Sequence, residues 1–118
     1  MPVKKTTLAT GKSAEALAEN YLAGMGLVSV SRNYRCRQGE IDLIMRDGET
    51  LVFVEVRYRK SGDYGTALET VTATKQHKIL VAAQFYIQKQ KVDDTIPLRF
   101  DVIGITGNNI QWIKAAFV

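Results

Sequence analysis

Two neighbouring segments constrain this 118-residue chain more than any others. Glu40–Arg46 alternates, with Ile41, Leu43 and Met45 on one side; Thr50–Tyr58 alternates, with Val52, Val54, Val56 and Tyr58 on one side. A period of two is the mark of β-strands, whose successive side chains point to opposite faces. Between them stands Asp47-Gly48, a dipeptide that tight two-residue turns favour, so the two segments form an antiparallel hairpin. Its informative residues are the acids that interrupt apolar runs. Asp42 lies between Ile41 and Leu43, and Glu55 between Val54 and Val56.

The rest of the chain supplies partners for that hairpin. From Ser13, apolar residues at 14, 17, 18, 21, 22 and 25 follow the spacing of a helix with one buried stripe, ended by Gly24 and Gly26. Leu27–Asn33 alternates as a first strand. A second helix runs from about Thr72 to Lys89, with Ile79, Ala82, Ala83, Tyr86 and Ile87 as its stripe. Leu98–Thr106 and Ile110–Ala115 form two further strands around Gly107-Asn108-Asn109. The order α-β-β-β-α-β-β predicts an α/β fold, a mixed sheet flanked by helices. The chain reads as a single domain, 1–118, with residues 1–10 as a flexible arm.

Composition sets the outer bounds. With 46% hydrophobic and 24% charged residues, the chain has the mixture of a soluble globule. A single Cys36 excludes an intrachain disulfide and suits a reducing compartment. No run approaches the ~18 apolar residues of a membrane span. Lys4 and Lys5 have no apolar stretch behind them of the kind a secretory signal needs. The expectation is a cytoplasmic protein with no membrane attachment. A net charge of +4 favours a polyanionic partner without demanding one.

What the hairpin presents on one face depends on its register. A two-residue Asp47-Gly48 turn would set Asp42 opposite Phe53 and Glu40 opposite Glu55, leaving Asp42 diagonal to Glu55 on the face shared with Phe53 and Arg57. A loop longer by two residues would set Asp42 directly opposite Glu55. A loop longer by one would separate them unless a bulge restored the phase. Carboxylates inside central strands need a cation or strong donors, because an unpaired buried charge is expensive. Two carboxylates and a neighbouring backbone carbonyl are hard oxygen ligands suited to Mg²⁺ or Mn²⁺, and an adjacent cation would stabilise charge on a phosphate under attack. If that face met water instead, the same residues would be solvated charges.

Gly39-Glu40-Ile41-Asp42-Leu43-Ile44, followed by Val54-Glu55-Val56-Arg57-Tyr58-Arg59, resembles the PD-(D/E)xK signature of restriction-endonuclease-like nucleases. With Glu15, Tyr21-Leu22, Asn33-Tyr34-Arg35, Lys75 and Arg99-Phe100-Asp101-Val102, the chain more closely resembles the YraN family, small bacterial proteins placed in that superfamily. The resemblance implies a restriction-endonuclease-like fold and a divalent-metal-dependent DNA endonuclease that hydrolyses phosphodiester bonds. Asp42 matches the metal-binding aspartate and Glu55 the glutamate of the ExK element, with the Val56 carbonyl as a further ligand. Glu15 matches a first-helix glutamate that completes the metal site in similar nucleases such as archaeal Holliday junction resolvases.

One position departs from the pattern, which has lysine where this chain has Arg57. Arginine stays protonated at any usable pH, so it stabilises phosphate charge but cannot act as a base. Either Lys75 or Lys60 reaches in, or the metal alone activates water, or the chain is a catalytically silent nucleic-acid-binding module. The catalytic set is therefore Glu15, Asp42, Glu55 and Arg57, with Asp42, Glu55 and Val56 as metal ligands. Arg32, Arg35, Arg37, Arg59, Lys60 and Lys75 are the candidate phosphate contacts. By analogy with nucleases that cut two strands, a homodimer is expected. His77 reads as a surface residue, Glu19 as solvated, and Trp112 as packing the last strand.

Overall fold

A computed structural model describes residues 11–59 and 67–118 of the chain, so the expected arm 1–10, Lys60 and Tyr64 lie outside the described residues. Helix α1 spans Gly11–Gly24. Strands β1 (Val28–Cys36), β2 (Gly39–Asp47) and β3 (Thr50–Arg59) follow as a meander. A 3-10 turn at Leu68–Thr70 precedes helix α2 (Ala73–Lys89), and β4 (Leu98–Thr106) and β5 (Asn109–Ile113) follow. The five strands form one mixed sheet in the order β1-β2-β3-β4-β5. Only β3 and β4 run parallel; the other neighbours are antiparallel. Parallel neighbours need a crossover, which α2 supplies.

Each face of the sheet is covered by one helix. Ala14, Ala18 and Leu22 of α1 pack on Leu43, Met45, Val52, Val54, Ile103 and Ile105. Ile79, Ala82, Ala83 and Tyr86 of α2 pack on Ile41, Ile44, Phe53, Phe100 and Val102. This double coverage explains why β2, β3 and β4 each hold a run of buried residues instead of a wet face. Thr72 caps α2, its hydroxyl accepting from the Lys75 amide at 3.2 Å.

Three expectations change on contact with the structure. The hairpin turn is Gly48-Glu49, not Asp47-Gly48, since Asp47 pairs with Thr50 and Leu43 with Val54. Gly48 takes φ +61, a conformation that costs glycine little. Second, Ile41 does not share a face with Leu43 and Met45: it packs under α2 while they pack under α1. The alternation breaks at Asp42, beside the level of Asn33, which adopts φ +51 between the pairs Arg32↔Leu43 and Tyr34↔Ile41. Third, Met25 lies past the end of α1 and is exposed, while Glu19 is buried. Its carboxylate takes a hydrogen bond from the Ser29 hydroxyl and an ion pair with Arg32 at 2.6 Å.

Candidate active site

The break in alternation at Asp42 opens the sheet where it matters. The β2–β3 pairing runs from Asp47↔Thr50 to Leu43↔Val54, a register that sets Asp42 level with Glu55. There the ladder gives way to a side chain: the Val56 amide donates to Asp42 Oδ2 at 2.8 Å. Asp42 and Glu55 are only 7% and 5% exposed. They are close enough to share a proton, and Glu15 on α1 comes within hydrogen-bonding reach of Asp42 and Asn33. Three carboxyl groups from α1, β2 and β3 thus meet at the point where the strands part.

Burial dominates their electrostatics. It pushes the Asp42 carboxyl up to about 7, with the Glu55 charge as the next cause and the Val56 amide pulling the other way. Burial also raises Glu55, opposed first by Lys75 and then by Arg57. Glu15 is raised by burial and by Asp42. One proton held between Asp42 and Glu55 is the expected state when no cation neutralises the pair.

The cations come from two different elements. Arg57, two residues along β3 from Glu55, ion-pairs with Glu55 Oε2 at 3.3 Å and donates from Nε to Thr70 Oγ1 at 3.0 Å. Thr70 in turn donates to the Ala67 carbonyl. Lys75, in the first turn of α2, brings Nζ to 3.9 Å from the same Glu55 oxygen. A cleft of about 970 Å³ opens over these groups, walled by the start of α1, the β1–β2 turn and the first turns of α2. Arg35, Arg37 and Lys78 stand on its walls, and Val56 and Tyr58 line it too. Gly39 allows the walls to meet, because a Cβ there would lie 3.1 Å from the Lys78 carbonyl.

Of the residues expected from sequence, Glu15, Asp42, Glu55, Val56, Arg57, Arg35, Arg37 and Lys75 all line this cleft. Arg32 is not among its lining residues and pairs with Glu19; Arg59, at the end of β3, is not among them either. His77 is exposed, and Trp112 donates from Nε1 to Asp101 at 2.9 Å. Thr70 was not anticipated, and Asn33 entered only as part of the resemblance, with no role at the site. Nothing local marks Thr70, whereas asparagine's tolerance of positive φ is a weak signal for residue 33.

Among the described residues, no three His, Cys, Asp or Glu side chains stand arranged around a common metal position. The donor chemistry nevertheless fits a hard divalent cation. Mg²⁺ is commonly held by one or two carboxylates, with water and phosphate oxygens completing its shell. Asp42 and Glu55 are two such groups, both buried, with Arg57 and Lys75 ion-paired to Glu55.

A doubly covered mixed sheet with paired carboxylates at the foot of a basic-rimmed cleft defines the class: a small α/β protein built around an acidic centre facing a polyanion-compatible groove. Within that class the chain belongs to the uncharacterised protein family UPF0102, which it matches over residues 14–105. It is 50% identical to a UPF0102 protein of Saccharophagus degradans over 108 residues, 92% of each chain. It is equally 50% identical to the UPF0102 protein YraN of an Escherichia coli strain over 117 residues, 98% of this chain and 89% of that one. A UPF0102 protein of Nitrosococcus oceani is 50% identical over 111 residues, 91% of this chain and 90% of its own.

Proposed function

We propose that this protein is a divalent-metal-dependent endonuclease acting on DNA, of the PD-(D/E)xK kind. The observation that carries the reading is the meeting of Asp42, Glu55 and Glu15 under a cleft rimmed by Arg35, Arg37 and Lys75. Asp42 and Glu55 would hold Mg²⁺ or Mn²⁺, with the Val56 carbonyl as a further oxygen donor. A metal there supplies Lewis acidity and a lowered pKa for water.

The chain's own residues do the rest. The Val56 amide fixes the Asp42 carboxylate, and Thr70 and Glu55 hold the Arg57 guanidinium in place. The basic rim draws in the phosphate backbone and aligns it over the carboxylates. In hydrolysis a water oxygen bonds to phosphorus as the bond from phosphorus to a sugar oxygen breaks. The departing oxygen gains a proton from solvent, and solvent takes the proton the water loses.

A second reading rests on Arg57, a permanent cation tied to its neighbours. On that reading the chain binds nucleic acid without cutting it. One panel tests both: labelled single-stranded, duplex, flap and four-way-junction DNA with Mg²⁺, Mn²⁺ or EDTA, on the native protein and Glu55→Ala. Metal-dependent cutting abolished by Glu55→Ala supports the nuclease. Metal-independent binding that weakens steeply with salt supports the binding module. Neither cutting nor binding at low salt removes both.

A further inference from the structure

We propose that Lys75 on α2, and not Arg57 on β3, is the cation that touches the scissile phosphate. This rests on the nuclease reading above but concerns which side chain meets the substrate. A phosphate approaching Asp42 and Glu55 needs N–H donors that are close and free to turn toward it. Arg57 is close, but two of its five N–H bonds are committed and they fix the plane of the other three. Its Nε donates to Thr70 and its NH1 to Glu55, and the side chain is 29% exposed. Thr70 is itself anchored to the Ala67 carbonyl, and Ala67 is wedged against Gly104 of β4. Redirecting the guanidinium would therefore break two hydrogen bonds at once.

Lys75 stands slightly farther from Glu55 and is differently held. Its Nζ stands 3.9 Å from Glu55 Oε2, beyond hydrogen-bond length, and its side chain is 47% exposed. Among the described residues the ammonium makes no hydrogen bond. All three of its protons can thus turn to a ligand in the cleft. Its backbone, by contrast, is fixed through the Thr72 cap, so the charge is flexible at the tip and anchored at the root. Lys78, one turn further on, lines the same cleft and prolongs the positive track away from the carboxylates. Arg57 is left with a positioning role: it neutralises Glu55 and orients it.

The test compares Lys75→Ala, Lys75→Arg and Arg57→Ala with the native chain, each checked for an unchanged melting profile. Cleavage in Mn²⁺ is one readout. The other needs no cleavage: the side-chain NMR signal of Lys75, assigned by its disappearance in Lys75→Arg, during titration with a thymidine dinucleotide in metal-free buffer. Lys75→Ala should lower the cleavage rate by about 10²-fold, the scale of losing one preorganised donor. Lys75→Arg should restore part of that loss, and Arg57→Ala should cost less than Lys75→Ala. The Lys75 signal should move on titration and stay displaced in Arg57→Ala. Arg57→Ala costing as much as Lys75→Ala or more would overturn the assignment. So would a Lys75 signal that ignores the dinucleotide. Native protein that cuts no DNA would sink the nuclease reading alone, and the titration would still decide whether Lys75 meets phosphate.

Discussion

The backbone amide of Val56 points into the carboxylate of Asp42 at 2.8 Å, where a regular hairpin would continue its ladder. That one bond links the two strands, fixes the Asp42 carboxylate and marks the level at which β2 and β3 part. The same carboxylate is buried beside Glu55, and it is burial and that neighbour, opposed by the amide, that make the site sensitive to protonation.

The pH dependence follows in sign. Asp42 is pushed up to about 7 in the folded chain from an ordinary 3.8, so the folded state binds more protons than the unfolded one between those values. Its favourable contribution is present at acid pH and lost as pH rises through about 7. Metal-free protein should therefore melt lower at pH 8 than at pH 5.5. Asp42→Asn should flatten this difference and stabilise the metal-free chain at pH 8 by about 1–3 kcal/mol. A melting curve unchanged by Asp42→Asn across that range would contradict the buried, proton-sharing pair.

Divalent metal should reverse the trend. A cation between Asp42 and Glu55 would replace the shared proton, so Mn²⁺ should raise the melting temperature more at pH 8 than at pH 5.5. Calorimetric titration of Glu55→Gln and Asp42→Asn should show Mn²⁺ affinity reduced by at least about tenfold in each. Unaltered affinity in both variants would place the metal elsewhere.

Gly104 is a packing test of the site's support. A Cβ at this position in β4 would collide with the Ala67 side chain, which has no flexible end to swing aside. Gly104→Ala should destabilise the fold by about 1–3 kcal/mol, the usual cost of overpacking. Because Ala67 anchors Thr70 and Thr70 anchors Arg57, the substitution should also loosen the guanidinium. Denaturant unfolding measures the first effect, and Arg57 side-chain NMR the second.

Asp101 anchors the far edge of the sheet. It is 0% exposed and accepts from Arg99, from Trp112 Nε1 and from the Ala115 amide, while Arg99 also reaches Asp47 at the β2–β3 hairpin. Asp101→Ala would cut Arg99 back to its pair with Asp47 and leave the Trp112 indole N–H and the Ala115 amide without their acceptor. A loss of about 1–3 kcal/mol is expected from chemical denaturation, the scale of donors left unsatisfied. Since Asp101 is not among the residues lining the cleft, any fall in cleft binding should track unfolding.

Much of the architecture was written in local patterns. The strand expected over 98–106 is β4 with its bounds unchanged, and the stripe Ile79, Ala82, Ala83, Tyr86 is the face that α2 buries. Register was harder. Asp47-Gly48 and Gly48-Glu49 turns both satisfy the local chemistry, and only packing on two helices chose the latter. Glu19 illustrates the same limit: its spacing on α1 suggested solvent, but its partners Ser29 and Arg32 sit on a strand that local patterns could not bring beside it.

By itself the sequence determined the elements, their order and the two acidic interruptions, because periodicity and turn chemistry act over a few residues. Tertiary structure decided that Glu15 meets Asp42, that Arg57 is tied to Thr70, and that Lys75 faces Glu55. Those contacts join α1, β2, β3, the 3-10 turn and α2. They exist only because burying both faces of the sheet draws the helices inward to where the strands part.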